Sequence, residues 1–332
     1  MKKRIEQLKQ RLAKIYHAVS MKIAKALKLD MSNKAVRNRK RKWFIVLMLA
    51  IPLTHFMIFF VYVNIDTFIL SFLRFDFLTS EYHYVGLQNY KNIIEDIQST
   101  EGLRIAIRNS LWFFPVTNLI ILPLSVVSAY FIFRKVPGRN IFKVIFFLPS
   151  IISIVVLTMS FQFMFDPLFG PVNMFMERIG ISPVGGWFGN KQTVMPMIFI
   201  YCIWAGIGFN MVLLNGAIAR LPKEVIESGR IDGIGMYKEM TQIIIPMIWP
   251  TITTLFVIGT TAVFTIFLQN LLLANGGPSG SSKTVAFIVV EQVQAGNLPS
   301  AAAFGILFSI IGIPIIFTIK YLMEKIGQNV EY

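Results

Sequence analysis

The stretch that comes nearest to a chemical motif in this sequence is Gly277–Thr284, which reads Gly-Pro-Ser-Gly-Ser-Ser-Lys-Thr. A phosphate-binding loop has the pattern GxxxxGK followed by Ser or Thr, and it requires a preceding strand and a following helix. Here Ser282 replaces the second glycine, and two long apolar runs flank the stretch. We therefore interpret the match as coincidental, and we expect no nucleotide or other cofactor to bind this chain.

Histidine, cysteine and carboxylate side chains are too scattered to indicate catalysis or metal binding. His17, His55 and His83 lie far apart, and the single cysteine, Cys202, excludes an internal disulfide. No Cys and His cluster has metal-ligand spacing. Ion-coupled carriers place acids or histidines inside their membrane spans, whereas here only His55 lies within an apolar run and Asp66 follows its end. We predict that the chain is not an enzyme, holds no metal and draws its driving energy from elsewhere.

The first 42 residues form a basic segment that holds most of the positive charge. Fifteen Lys and Arg residues face only Glu6 and Asp30 there, so the segment carries +13 of the net +15. Apolar residues recur every three or four positions from Ile5 to Leu27, which predicts an amphipathic helix on the anionic inner leaflet. A solvated basic arm is the alternative. Nucleic-acid binding is disfavoured because no series of aromatic residues interleaves the charges.

The remainder of the chain has the composition of a membrane protein. Hydrophobic residues make up 55% of the sequence and charged residues 15%, with a mean hydropathy of +0.63. A helix needs about 20 mostly apolar residues to cross the hydrocarbon core. Six runs without Asp, Glu, Lys or Arg reach that length: Trp43–Ile65, Asn109–Phe133, Val144–Phe165, Gln192–Ala219, Met240–Ser282 and Gln292–Ile319. The fifth run is too long for one crossing, and its loop-like end reduces the predicted span to Met247–Leu272.

The basic residues of the short loops predict the orientation of these spans. The loops Arg134–Lys143 and Arg220–Glu239 each carry four Lys or Arg residues, whereas the alternate segments are poorer in net positive charge. Because Lys and Arg favour cytoplasmic loops, both termini are predicted to be cytosolic. The sequence thus predicts an all-α polytopic protein with six transmembrane helices, a basic tail over 1–42, a transmembrane domain over 43–325 and a short cytoplasmic tail over 326–332. A cleaved signal peptide does not fit this pattern.

The inner loop over residues 221–250 has the features of a helix–turn–helix docking element. Pro222 can open a short helix, and Asp232 can cap a second one. Gly233 lets the chain turn sharply between them, while Pro246 can bend or start the following span. A simple connector between two spans is the alternative interpretation.

This loop resembles the EAA loop of bacterial ABC-importer permeases, whose pattern is EAA–x3–G–x9–I–x–L–P. The matching positions are Glu227, Ser228, Gly229, Gly233, Ile243, Ile245 and Pro246. Ser228, Gly229 and Ile245 depart mildly from the pattern. Further stretches are similar to the sugar branch of the family: Val85–Tyr90, Phe147–Ser153, Gly170 with Asn173, Asn275–Pro278 and Pro299–Ala303. The resemblance extends from about Trp43 to Lys325.

The resemblance implies the type I ABC importer transmembrane-domain fold in the bacterial plasma membrane. The chain would form half of a sugar or oligosaccharide pathway beside a second homologous permease. Two cytosolic ATPase subunits would bind ATP and Mg, and an extracellular solute-binding protein would deliver the sugar. The expected ATPase-coupling residues are Glu227, Ser228, Gly229, Asp232, Gly233 and Pro246. A secondary carrier or channel, an ABC permease for another substrate, and a membrane structural protein are the alternatives.

Polar and aromatic side chains on spans four and five are candidates for the sugar pathway, because sugars are bound by hydrogen bonds and ring stacking. They are Trp204, Asn210 and Asn215 on span four, and Phe264, Phe267 and Gln269 on span five. Helix packing is the alternative role for each of them. The sequence leaves the identity of the sugar open.

Overall fold

A computed structural model of the chain describes residues 33–76, 79–181 and 183–327, together with Arg11, Lys14, Ala18, Val19 and Met21. Most of the predicted amphipathic tail, and most of the tail over 326–332, lies outside the described residues. The described residues divide into two compact units, with the division between Asp66 and Thr67.

Helices long and apolar enough to cross a membrane dominate the described residues. Four of them are continuous: Asn38–Leu70, Glu101–Phe133, Val194–Ile218 and Leu298–Gly327. Two further pairs are bent, Arg139–Ile151 with Ile154–Met164 by 112°, and Met236–Met247 with Trp249–Thr265 by 78°. Counting each bent pair once gives six spans, which we number one to six in chain order. The predicted helical architecture with six spans is confirmed.

Span one combines Asn33–Phe56, a π-helical segment Met57–Tyr62 and Val63–Leu70. The side chains of residues 41–60 are all exposed. Most of them are apolar, so this surface is suited to lipid rather than water.

A small β-hairpin and a short amphipathic helix follow span one. Strands Leu73–Asp76 and Glu81–Tyr84 pair antiparallel, and the helix spans Gln88–Ser99. The hairpin is an addition to the predicted helices. The side chain of Asn89 donates hydrogen bonds to the carbonyl oxygens of Ser71 at 2.8 Å and Leu73 at 2.7 Å. The polar end of the Val85–Tyr90 motif thus fixes the helix to the first strand.

Shorter helices complete the chain between the spans. They are Pro171–Arg178 after span three, Lys223–Ile231 after span four, and Leu268–Ala274 and Val285–Gln294 between spans five and six, with a 3₁₀ turn Pro278–Gly280. The inner half of span five is itself divided into Met236–Lys238, a π-helical segment Glu239–Ile244 and Ile245–Met247.

The core lies where span four packs against spans two and three. Tyr201, Met211 and Leu214 of span four are at most 1% exposed. At Gly208 the backbone approaches span three so closely that a β-carbon would overlap the carbonyl oxygen of Phe146. Small residues allow helices in a membrane to pack at short range, and Gly208 is such a position.

Backbone features interrupt three of the predicted apolar runs, so these spans differ from the predicted continuous helices. Span three is broken at Ile152, which is extended. The helix of span five ends at Thr265, and the carbonyl freed at Ile266 accepts a 2.6 Å hydrogen bond from the Thr284 hydroxyl. Span six begins at Leu298 rather than position 292, because Gly296 adopts a φ of +77° and ends the preceding helix.

Replacing Gly208 by alanine should destabilise the protein, because the new methyl group would meet backbone atoms of span three that cannot rotate away. Overpacking of this kind costs about 1–3 kcal/mol. The matched control is Gly216→Ala, eight positions later on the same helix, where a β-carbon meets nothing within 4 Å. Thermal unfolding of both purified variants in detergent tests this, and equal midpoints would contradict the packing described here.

Candidate functional site

The inner loop contains one well-formed helix, Lys223–Ile231, which we call the inner-loop helix. Pro222 precedes its first residue in an extended conformation, and Glu224 in the first turn and Arg230 in the last turn have the charges that a helix dipole favours. The predicted short helix is confirmed.

A tight turn at Gly233 ends this helix and redirects the chain. Gly233 has a φ of +76°, and a β-carbon there would meet nothing within 4 Å. The requirement for glycine therefore comes from the left-handed backbone and not from lack of space.

The predicted capping role of Asp232 is wrong. Asp232 occupies the carboxy-terminal cap of the inner-loop helix, and its N–H donates to the carbonyl oxygen of Ser228. The next helical segment begins at Met236, after Gly235 in an extended conformation. Two residues of turn after Gly233 thus place Asp232 too early to cap that segment.

One face of the inner-loop helix is packed against the start of span five. Ile226 is 4% exposed and Gly229 is buried. A β-carbon on Gly229 would lie 2.6 Å from Cδ1 of Ile243. Two positions of the EAA pattern are therefore the two sides of a single contact, which explains why one is small and the other is apolar. Pro246 lies in the first turn of the following helical segment, Ile245–Met247.

The charged centre of the loop is Glu239, whose side chain is 1% exposed. Arg230 donates two hydrogen bonds to it, Nε to Oε2 at 3.1 Å and Nη2 to Oε1 at 3.3 Å. Nη1 of Arg134 lies 3.3 Å from Oε2. A buried carboxylate is costly unless such partners compensate it, and paired guanidinium hydrogen bonds are strong and directional. We call Glu239, Arg230 and Arg134 the carboxylate clamp.

The clamp joins three parts of the chain. Arg134 follows the last residue of span two, Arg230 belongs to the inner-loop helix, and Glu239 starts the π-helical segment of span five. The hydroxyl of Tyr130 in span two adds a 3.0 Å hydrogen bond to the carbonyl oxygen of Met236. The hydrogen bond with Glu239 raises the pKa of Arg230 above its already high ordinary value, so the cation persists at every physiological pH.

The clamp is not predicted by the sequence analysis, although two of its residues have recognisable positions in the sequence. Glu239 is the last acid before the long apolar run of span five, and Arg134 is the first basic residue after the run of span two. A charge at the edge of an apolar run is ordinarily solvated. Only the folded chain shows that these two meet.

The opposite face of the loop is exposed and partly apolar. We call the exposed residues Val225, Glu227, Ser228, Ile231, Met236 and Tyr237 the loop face. Ile231 is 86% exposed and Tyr237 is 75% exposed. Exposed apolar side chains rimmed by polar ones are typical of an interaction surface. Of the predicted coupling residues, Glu227 and Ser228 lie on this face, Asp232 and Gly233 are exposed beside it, and Gly229 faces inward.

The predicted pathway residues fall into separate places within this chain. Phe264 and Phe267 line a cavity of about 470 Å³ between spans five and six. Gln269 lines another, of about 280 Å³, beside Tyr201. Trp204 packs in the core against Phe161, with ring centroids 5.9 Å apart.

Asn210 and Asn215 are half-buried on span four and line neither of these cavities. The six candidates therefore do not form one site in a single chain. Their role in a pathway stays a prediction.

The stretch Gly277–Thr284 lacks the context of a phosphate-binding loop. It lies between two helices, and its carbonyl groups are used for packing: Asn109 donates to those of Ser281 and Lys283 at 2.8 and 2.9 Å. Lys283 pairs with Glu291 at 2.6 Å. Within the described part of the chain, no three His, Cys, Asp or Glu residues are grouped as metal ligands.

Comparison with known proteins places this architecture in a family. The profile of the binding-protein-dependent transport system inner membrane component matches residues 121–332, which include the inner loop and the clamp. The chain belongs to this family. The resemblance inferred from the EAA pattern is confirmed, as is the multi-pass character of a plasma-membrane protein.

Among the relatives of this inner membrane component are several sugar-transport permeases. This chain is 29% identical over 260 residues to the arabinooligosaccharides transport system permease protein AraP of Bacillus subtilis (strain 168). The alignment covers 77% of this chain and 80% of the relative. The trehalose/maltose transport system permease protein MalF of Thermococcus litoralis is 24% identical over 282 residues, covering 85% of this chain and 92% of the relative.

Solved structures show the same fold. A chain from a bacterial ABC transporter involved in the import of the acidic polysaccharide alginate aligns with a TM-score of 0.76 and 23% identity, covering 89% of this chain and 99% of that one. A chain from a second structure, a bacterial alginate ABC transporter in complex with an alginate pentasaccharide-bound periplasmic protein, aligns with a TM-score of 0.77 and 22% identity. The alignment covers 88% of this chain and 98% of that one. The predicted fold of an ABC importer permease is confirmed.

Replacing Glu239 by glutamine should loosen the inner loop of this inner membrane component. The amide keeps the shape but loses the charge, and hydrogen bonds to a charged group contribute about 1.5–3 kcal/mol. Trypsin should then cut faster after Arg230 and Lys238. The control is Glu224→Gln, which replaces an exposed acid in the first turn of the inner-loop helix. Trypsin should cleave this variant at the wild-type rate. Unchanged cleavage of the Glu239 variant would show that the clamp does not hold the loop.

Replacing Gly233 by alanine should destabilise the turn by about 1–2 kcal/mol, which is the cost of a left-handed conformation for a residue with a β-carbon. Gly235→Ala is the matched control, because Gly235 is extended and a β-carbon there also meets nothing within 4 Å. Comparing the thermal unfolding midpoints of the two variants shows whether the left-handed backbone at Gly233 or the added volume of the methyl group causes the loss of stability. Equal losses would refute the conformational explanation.

Proposed function

We propose that this chain is the permease subunit of an ATP-driven, binding-protein-dependent importer of a sugar or oligosaccharide. The observation that carries this proposal is the inner loop: a short helix with an exposed face, fixed to two membrane spans by a buried carboxylate. Relatives described as permeases for arabinooligosaccharides, trehalose/maltose and diacetylchitobiose support a carbohydrate substrate.

The proposed orientation places both termini and the inner loop in the cytosol. Support comes from the two loops with four basic residues each, Arg134–Lys143 and Arg220–Glu239. In this orientation, the loop face is accessible to a cytosolic ATPase. The extracellular side would receive a solute-binding protein, and a second homologous permease would complete the pathway. ATP and Mg would bind the ATPase chains.

The coupling mechanism follows from how the loop is attached. Docking of an ATPase on the loop face applies force to the inner-loop helix. The contact of Gly229 with Ile243 transmits that force to span five, and the carboxylate clamp transmits it to span two. Because two independent connections hold the helix, it moves together with the inner ends of both spans, and alternating access results.

Glu227→Lys should release the ATPase from the permease. Glu227 is an exposed carboxylate on the loop face, and loss of one partner of a charge pair at an interface costs about 2–5 kcal/mol. Binding should weaken more than tenfold. The measurement is co-purification of the ATPase with the permease, alongside sugar uptake by cells.

Glu95→Lys makes the same change of charge on an exposed residue of the helix Gln88–Ser99, and it should leave ATPase retention unchanged. If Glu227→Lys retains the ATPase and transports normally, the loop face is not the docking surface. ATP hydrolysis by the purified assembly, measured with the solute-binding protein and a panel of sugars, tests the substrate class separately. Absence of stimulation by any sugar would contradict a sugar importer.

A further inference from the structure

A groove runs along spans two and four, at the end of each span opposite to the inner loop. It has a volume of about 800 Å³, which is within the range of ligand pockets. The outer end of the groove is lined by Glu101, Ile105 and Asn109 of span two and by Ser279 and Ser281 of the turn between spans five and six. Farther in, span two contributes Arg108, Trp112, Val116 and Ile120, and span four with the turn before it contributes Lys191, Met195, Phe199 and Ile203. From Arg108 and from Lys191 inward, the lining residues recur every fourth position, so each set forms one stripe along its helix.

The groove is polar at its outer end, where Asn109, Ser279 and Ser281 lie beside the charged side chains, and apolar farther in. Arg108 and Lys191 lie at the outer ends of the two stripes, and neither forms an ion pair with a described residue. Glu101 also lines the mouth, about 10 Å farther out along the helix. The mouth therefore has a net charge of +1. Beyond Trp112 the stripes consist of Val, Ile, Met and Phe side chains.

The part of the groove from Arg108 inward is about as long as one leaflet of a bilayer is thick. Twelve residues separate Arg108 from Ile120, which is about 18 Å along a helix, and half of the hydrocarbon core is about 15 Å. Trp112 lies one turn inward from Arg108, at the depth where interfacial tryptophans are enriched. A cationic end at the membrane surface and an apolar wall one leaflet deep together match the shape of a phospholipid.

We propose that this groove binds one anionic glycerophospholipid, represented by phosphatidylglycerol. Its phosphodiester contacts Arg108 and Lys191, and an acyl chain lies along Val116, Ile120 and Phe199. The single negative charge of the headgroup balances the net charge of the mouth. This lipid belongs to the leaflet on the side away from the inner loop, and so differs from any lipid bound by the basic tail.

The other possible occupants fit the groove less well. A sugar would need hydrogen-bonding groups along its path, and the inner half of the groove offers apolar side chains only. An apolar helix of a partner protein would cover Arg108 and Lys191 without supplying a counter-charge, and unpaired charges in such surroundings are costly. A phospholipid satisfies both ends at once.

The test is photolabelling of the intact assembly in phosphatidylcholine nanodiscs that contain a small fraction of phosphatidylglycerol with a photoreactive acyl chain. We expect labelled peptides to cover Trp112–Ile120 and Met195–Ile203, and labelling by an equally reactive phosphatidylcholine to be much weaker. The double variant Arg108→Gln, Lys191→Gln should lose about tenfold or more of the labelling. Arg104→Gln, one turn earlier and outside the groove, should lose none.

The charge-preserving pair Arg108→Lys, Lys191→Arg should keep the labelling, which separates loss of charge from failure to fold. The proposal is overturned if phosphatidylcholine labels these segments equally well, or if the double glutamine variant labels normally. It is also overturned if the segments remain unlabelled in the wild type, as they would be when another protein chain fills the groove.

Discussion

The carboxylate of Glu239 is the constraint on which the organisation of the inner loop depends. A charge that is 1% exposed must be compensated by its surroundings, and both compensating groups come from other parts of the chain. Arg134 can reach Glu239 only if the end of span two lies beside the start of span five. Arg230 can reach it only if the inner-loop helix folds back over the same point. Satisfying one buried charge therefore fixes the relative positions of three segments.

Close backbone approach provides the second constraint. The absence of a side chain at Gly208 lets span three pack directly against span four. The absence of a side chain at Gly229 likewise lets the inner-loop helix pack against Ile243. Between spans two and five, Thr117 donates a 2.9 Å hydrogen bond to the carbonyl oxygen of Gly259. These contacts allow a bundle of apolar helices to hold a defined arrangement, since hydrophobicity alone does not drive helices together within lipid. The inner loop is thus attached to helices that are held together by close contacts.

The spans and the short inner-loop helix could be predicted from sequence because they depend on local composition: apolar runs of sufficient length, Pro222 at a helix start and Gly233 at a turn. The breaks at Ile152 and Ile266 could not, since the second depends on Thr284, a residue from another segment. The same limit applies to the site. The EAA pattern identified the loop, but the role of Glu239 requires Arg134, which is distant in the chain. Asp232 was misassigned because a capping residue and a helix-ending residue have the same local signal.

In the proposed coupling mechanism, the inner-loop helix moves as one body with the inner end of span two. The most direct test is the distance between spin labels on Ile231 and Lys135, both exposed, measured by double electron–electron resonance. The labelled assembly should first be shown to hydrolyse ATP under stimulation by its binding protein. The account predicts one narrow distance distribution that is the same with and without ATP. A distribution that shifts when ATP binds would show that the loop moves independently of span two, and would contradict the account.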